Sequence, residues 1–172
     1  SEVSMADAAI TVTGSIDKSK VDALRQTTTG NVTVVDLTED KADLATIASY
    51  TDVILSSTNI TVTDNVDKSE ADTIDAYSNT SGTVTLTSIT DTVSNVTAVE
   101  NNANISLDTS TITVTDAATL ANANAINNFT SAQVTLNAVQ DSYDNLIAID
   151  QLTTSEVSMA DAAITVTGSI DK

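Results

Sequence analysis

Residues 1–18, SEVSMADAAITVTGSIDK, return without a change as residues 155–172. Eighteen identities in a row at an offset of 154 residues are beyond chance, so the chain is a window on a tandem array of that period, or one in which the segment has been duplicated on purpose. Inside the period the motif I-T-V-T begins at Ile10, Ile60, Ile112 and Ile164, at spacings of 50, 52 and 52 residues. Three diverged units of about 51 residues therefore make one period. The organisation that follows is the end of a preceding unit at 1–9, units at 10–59, 60–111 and 112–163, and at 164–172 the start of the next, a copy of 10–18.

Aligned from each Ile, the units run ITVTGSIDKSKVDALRQT, ITVTDNVDKSEADTIDAY and ITVTDAATLANANAINNF. The opening alternation of apolar and polar residues predicts a strand. Apolar or bulky residues then fall three apart at Val21/Ala71/Ala123, Leu24/Ile74/Ile126 and Thr27/Tyr77/Phe129, which is helical spacing. Asp17, Asp67 and Thr119 stand where a side-chain oxygen can accept from the free amides of a first helical turn. A second strand follows from Val32, Val84 and Val134, and a second helix with caps at Asp40, Thr92 and Ser142. A third strand signal comes at Val53-x-Leu55, Ile105-x-Leu107 and Val157-x-Met159. Its four-residue link to the next I-T-V-T allows either a hairpin pairing Leu55 with Ile60 or a corner. The unit-length differences fall near Thr80 and Ser81 and late in the third unit, at expected loops.

Each unit thus reads strand, helix, strand, helix, strand. A piece of that size has too little interior to bury its own faces, whereas stacked copies cover one another. The expected fold is an α/β repeat solenoid with a parallel sheet, its helices carried by crossovers of one hand. Small or apolar residues also align at Ile16/Val66/Ala118, and Thr occupies the polar alternates of the strands, where a β-branched side chain favours extended backbone and its hydroxyl stays hydrated.

Composition narrows the chemistry. The chain has 172 residues, a net charge of −18, and no Cys, His, Trp or Pro. Without His or Cys there is no Ser-His-Asp triad, thiol nucleophile, structural zinc site or iron–sulfur cluster. The negative charge repels nucleic acid and anionic lipid alike, and no apolar run approaches the ~20 residues that span a bilayer. The start of the chain lacks the pattern of a signal peptide. Asp greatly outnumbers Glu, as suits caps and turns.

With the repeat in view, ITVTDAATLANANAINNFTSAQVTLNAVQDSYDNLIAID at 112–150 resembles the units of giant, repetitive surface and extracellular proteins of bacteria, cyanobacteria especially. The pattern T-V-T-D-A-A-T, a small-residue helix, I-N-x-F-T-S and a V-T strand carries the resemblance, and GSIDKSKVDALRQ and DNVDKSEADTIDA drift from it. What it implies is a long extracellular or cell-surface fibre or adhesin-like stalk, with no catalytic residue and no cofactor.

Three site readings remain. Asp36, Glu39, Asp40 and Asp43 offer hard oxygen ligands for calcium, although no EF-hand loop is present and the other units lack the cluster. Asn-x-Ser/Thr sequons stand at Asn31, Asn59, Asn79, Asn95, Asn104 and Asn128, as a Thr-rich composition produces, and Asn31 and Asn59 read as turn residues before strands. Asp141 and Asp144 read as helix caps rather than an acid–base pair, and Tyr50, Tyr77, Tyr143 and Phe129 as core. The function expected is structural: self-association head to tail along the repeat axis, with lateral contacts besides, and neither nucleic acid nor membrane as partner. The alternative is a calcium-dependent or glycan-binding adhesin module. An enzyme is not expected. The repeated ends also lead to an expectation of end-to-end continuity, from Val3, Met5, Ile10 and Val12 to Val157, Met159, Ile164 and Val166.

Overall fold

A computed structural model describes residues 5–78, 81–152 and 157–168. Val3, Asn79 and Thr80 lie outside them. The first unit contributes β1 (Ile10–Ile16), α1 (Lys18–Arg25), β2 (Val32–Glu39), α2 (Lys41–Ala48) and β3 (Val53–Ile54). The second contributes β4 (Asn59–Val66), α3 (Lys68–Ser78), β5 (Val84–Asp91), α4 (Val93–Glu100) and β6 (Ile105–Ser106). The third contributes β7 (Thr111–Ala118), α5 (Leu120–Asn127), β8 (Val134–Asp141), α6 (Tyr143–Asp150) and β9 (Val157–Ser158), and β10 (Ala163–Val166) opens the unit after it.

All the strands join one parallel sheet in the order β1-β2-β4-β5-β7-β8-β10, with β3, β6 and β9 paired to β2, β5 and β8. The fold is α/β, and the sheet stays open, with β1 and β10 as its outer members. Order in the sheet follows order in the chain, so crossovers of one hand deposit the helices in one row. Each helix touches the next, from α1 against α2 to α5 against α6.

The third strand makes no hairpin. β3 and β4 lie one behind the other along the same side of β2, where Val32 and Thr33 face Val53 and Ile54 while Asp36 to Glu39 face Asn59 to Val62. Leu55 to Thr58 form the step between them. Because Ile10 is level with Val32 but Ile60 is level with Leu37, each unit starts five residues further along the strand direction than the one before. The same stagger recurs where Ile89 meets Ile112 and where Val139 meets Ile164. At about 3.3 Å per residue the sheet climbs roughly 16 Å per unit.

One face of the sheet is apolar and lies under the helices. Val32, Val34, Leu37, Ile60, Val62, Val66, Val84, Leu86 and Ile89 are buried, as are their counterparts Ile112, Val114, Ala118, Val134, Leu136 and Val139. From the helix side come Val21, Ala71 and Ala123, all fully buried, together with Ile74 and Ile126. Leu44/Ile47, Val96/Val99 and Ile149 do the same from the second helix of each unit. The opposite face carries Thr11, Thr33, Thr61, Thr85, Thr113 and Thr135, exposed or half-buried. Parallel sheets usually have both faces covered; a hydroxyl-bearing face lets this one meet water directly.

The loops before β2 and β5 press on the step of the unit behind. A Cβ on Gly82 would stand 2.0 Å from the Thr58 carbonyl oxygen, and one on Gly30 2.5 Å from that of Ala8, so both approaches require glycine.

Candidate functional site: the seams between units

Each of the six helices among the described residues starts on a carboxylate or hydroxyl cap. Asp17, Asp40, Thr92, Thr119 and Ser142 accept from amides in the first turns of α1, α2, α4, α5 and α6, and Asp67 accepts from the Glu70 amide at 2.8 Å in α3. Thr119 and Asn122 form a reciprocal capping box. The Ser19 hydroxyl and the Lys20 amide hold the Asp17 carboxyl down at about 2.

A second set of carboxylates reaches sideways. At the end of the second strand of each unit, Glu39, Asp91 and Asp141 accept from the first amides of α1, α3 and α5, from Lys18 at 2.5 Å, Lys68 at 2.9 Å and Leu120 at 2.9 Å. Asp91 and Asp141 also take their own helix, through the amides of Thr92 and Ser142 and the side-chain amides of Asn95 and Asn145. Burial pushes the Asp91 carboxyl up, but these donors outweigh it and hold the group below the usual range. The Leu120 amide, with Asn145 and Ser142, lowers Asp141 in the same way. The neighbouring strand thus neutralises the positive end of each of these three helices.

Between units the bond comes from the strand of the following unit. Asp64 on β4 accepts from the Lys41 amide of α2 at 3.0 Å, and Asp116 on β7 from the Val93 amide of α4 at 2.7 Å. A bulge aims them: Val62 and Asn65 face Leu86 and Ser88, so Thr63 and Asp64 together oppose one residue, and Thr115 and Asp116 do the same on β7. A buried hydroxyl makes the second inter-unit bond. Thr58 Oγ1 donates to the Val34 carbonyl at 2.6 Å and Ser110 Oγ to that of Leu86 at 2.5 Å. Those carbonyls lie where the ladder is interrupted between β3 and β4 or β6 and β7, so the hydroxyl stands in for a missing strand amide. The helix-end hydroxyls Ser78 and Thr130 close on the same turns, donating to the carbonyls of Thr58 and Ser110 at 2.7 Å each. On the helix side Lys41 and Glu70 pair at 2.8 Å, and the Glu70 carboxyl is lowered first by that contact.

The four calcium candidates do not all converge. Carboxylate oxygens of Glu39, Asp40 and Asp43 lie within 4.8 Å of one another, half-buried at the start of α2, whereas Asp36 accepts from Asn59. In the other two units the place of Asp43 is taken by Asn95 and Asn145, whose amides donate to Asp91 and Asp141. Of the aromatic residues, Tyr50, Tyr77 and Phe129 pack against the core as expected. Tyr143 does not: at the first position of α6, where the other units have Lys41 and Val93, it is 54% exposed. Tyr50 lies past the end of α2, with Arg25 stacked 3.7 Å from its ring centre and its hydroxyl on Asp22, while Arg25 grips both oxygens of Asp52. Asn59 and Asn95 spend their side-chain amides on Asp36 and Asp91. Asp141 accepts from the Leu120 amide at the start of α5, as a capping residue does.

The sequence reading missed the sideways carboxylates and the buried hydroxyls. Their signal was available as Asp64/Asp116 four residues after, and Thr58/Ser110 two residues before, the Ile of each motif. No family model, curated protein or solved structure among those compared matches the chain.

Proposed function

We propose that this chain is a load-bearing segment of a long extracellular or cell-surface fibre, an α/β repeat solenoid whose successive periods join end to end, and that it is not an enzyme. The observation that carries the reading is the register of the copied segment. Ala163 to Val166 pair with Ala138 to Asp141 as Asn59 to Val62 pair with Asp36 to Glu39 and as Thr111 to Val114 pair with Ser88 to Asp91. Since 163–168 repeat 9–14, the next period begins on β8 as each inner unit begins on the unit before it. Asp64, Asp91, Asp116 and Asp141 are engaged with helix amides, which supports a structural use of these carboxylates.

The stagger and the strand spacing set the dimensions. Fifteen residues of climb and six strand spacings of about 4.8 Å move each period some 50–60 Å from the last. Chains carrying two, three and four periods, measured by small-angle scattering and electron microscopy, are expected to lengthen by that constant step. A particle whose length fails to grow with the number of periods would end the fibre reading.

One observation favours the adhesin alternative. Asp43 puts a third carboxylate where the other units have a donating Asn, a change a calcium ion at Glu39, Asp40 and Asp43 would accommodate. On that alternative, millimolar calcium raises the melting temperature and Asp43→Asn abolishes the rise. On the fibre reading calcium leaves the melt unchanged beyond general screening.

A further inference from the structure

We infer that the seam closing each 154-residue period is the weak joint of the array, which opens before the seams inside a period do. The inference rests on the fibre reading above and takes it further, by assigning different strengths to seams that share one backbone register. Inside the period every seam carries the same two side-chain bonds across units. Thr58 and Ser110 supply a buried hydroxyl to the interrupted ladder, and Asp64 and Asp116 cap the second helix of the unit behind.

At the period seam both positions change. Ala162 occupies the place of Thr58 and Ser110, two residues before Ile164, and has no hydroxyl to give to Leu136. Gly168 occupies the place of Asp64 and Asp116, four residues after Ile164, and has no carboxylate to give to the first amide of α6. The strand pairing is retained throughout.

A third difference lies in the helix layer. Tyr77 reaches back over the seam and lines a small cavity with Ala48, Val53 and Leu55 of the unit before. Phe129 occupies the matching position in the third unit, but the first unit has Thr27 there. On the joint side the corresponding wall is Leu152, Val157 and Met159, of which a threonine covers less than an aromatic ring. Two bonds and one ring are therefore absent from the same seam, once per period, while the ladder that restores it is intact. Under load such an array yields in 154-residue blocks and closes again, rather than unravelling along its whole length.

The test uses a chain of two periods, in which the joint is interior and end fraying does not enter. Amide hydrogen exchange is followed at 163–167 and compared within the same molecule to 59–63 and 111–115. Exchange at the joint is expected to be about ten- to thirtyfold faster, the effect of two lost hydrogen bonds on local opening. Ala162→Thr and Gly168→Asp, which restore the hydroxyl and the carboxylate of the inner seams, are made singly and together. The Ala162→Thr change alone is expected to recover a clear part of the protection. Equal exchange at all three seams in a particle of doubled length overturns the weak joint and leaves the fibre standing. Faster exchange that Ala162→Thr and the double variant both leave untouched also overturns it, since the missing bonds would not be the cause. A particle no longer than a single period overturns the fibre reading and the joint with it.

Discussion

Val21, Ala71 and Ala123 fill one column of the first helices, and none of the three has any exposed surface. An alanine there brings helix and sheet into contact, so any larger or charged side chain meets the apolar face of the strands with no partner. Ala123→Asp should therefore cost about 3 kcal/mol or more, and the same change at exposed Ala125 less than about 1 kcal/mol, by chemical denaturation. Equal losses would mean that α5 turns a different face to the sheet. Neighbouring Asn122 is no neutral control, because its side chain completes the capping box with Thr119.

Each element of this fold ends on a group supplied by its neighbour. Asp91 accepts from Lys68, Thr92 and Asn95, so a single carboxylate serves the starts of α3 and α4. Asp91→Ala should lower stability by about 1–2 kcal/mol, with Asp91→Asn intermediate because one oxygen acceptor survives. A loss confined to α4, with exchange in α3 unchanged, would contradict the shared role. The pH dependence has a definite sign. Asp91 and Asp141 have folded values below the unfolded one, so their contribution is complete above the ordinary carboxylate range and disappears as pH falls through the folded values. Asp17, lowered from 3.8 to about 2, places the end of that loss near pH 2. Glu100 runs the other way: burial, with Asp108 beside it, raises its value, so its charged form weakens the fold at neutral pH.

At the scale of the molecule, charge decides association. With a net charge of −18 and a sequence pI near 4.1, copies repel one another at neutral pH and lose that repulsion on acidification. Asp17, Asp91 and Asp141 stay ionised below the ordinary range, so the helix starts they hold outlast the repulsion. Light scattering is expected to rise between pH 5 and 4 with far-UV circular dichroism unchanged, and unfolding to follow only below about pH 4. High salt at pH 7 should reproduce part of the rise by screening. A loss of helical signal that precedes the scattering would show instead that association proceeds from an unfolded chain.

The sequence by itself determined the repeat, its boundaries, the order of strands and helices, the first cap of every helix and the inward column at Val21, Ala71 and Ala123. These are local: periodicity of 2 or 3.6 and a cap three residues ahead of its amide are written in neighbouring positions. What only the tertiary structure decided are relations across 20 to 24 residues of chain. The bond from Asp64 to Lys41 depends on a bulge in β4, and that from Thr58 to Val34 on a ladder interrupted between β3 and β4. The register that places Ile60 beside Leu37, and so settles corner against hairpin, is likewise a matter of which strand lies alongside. Alternating residues state which face of a strand is buried; they carry no mark of the neighbour or the level at which it docks, because those follow from how the helices and steps of successive units fit together.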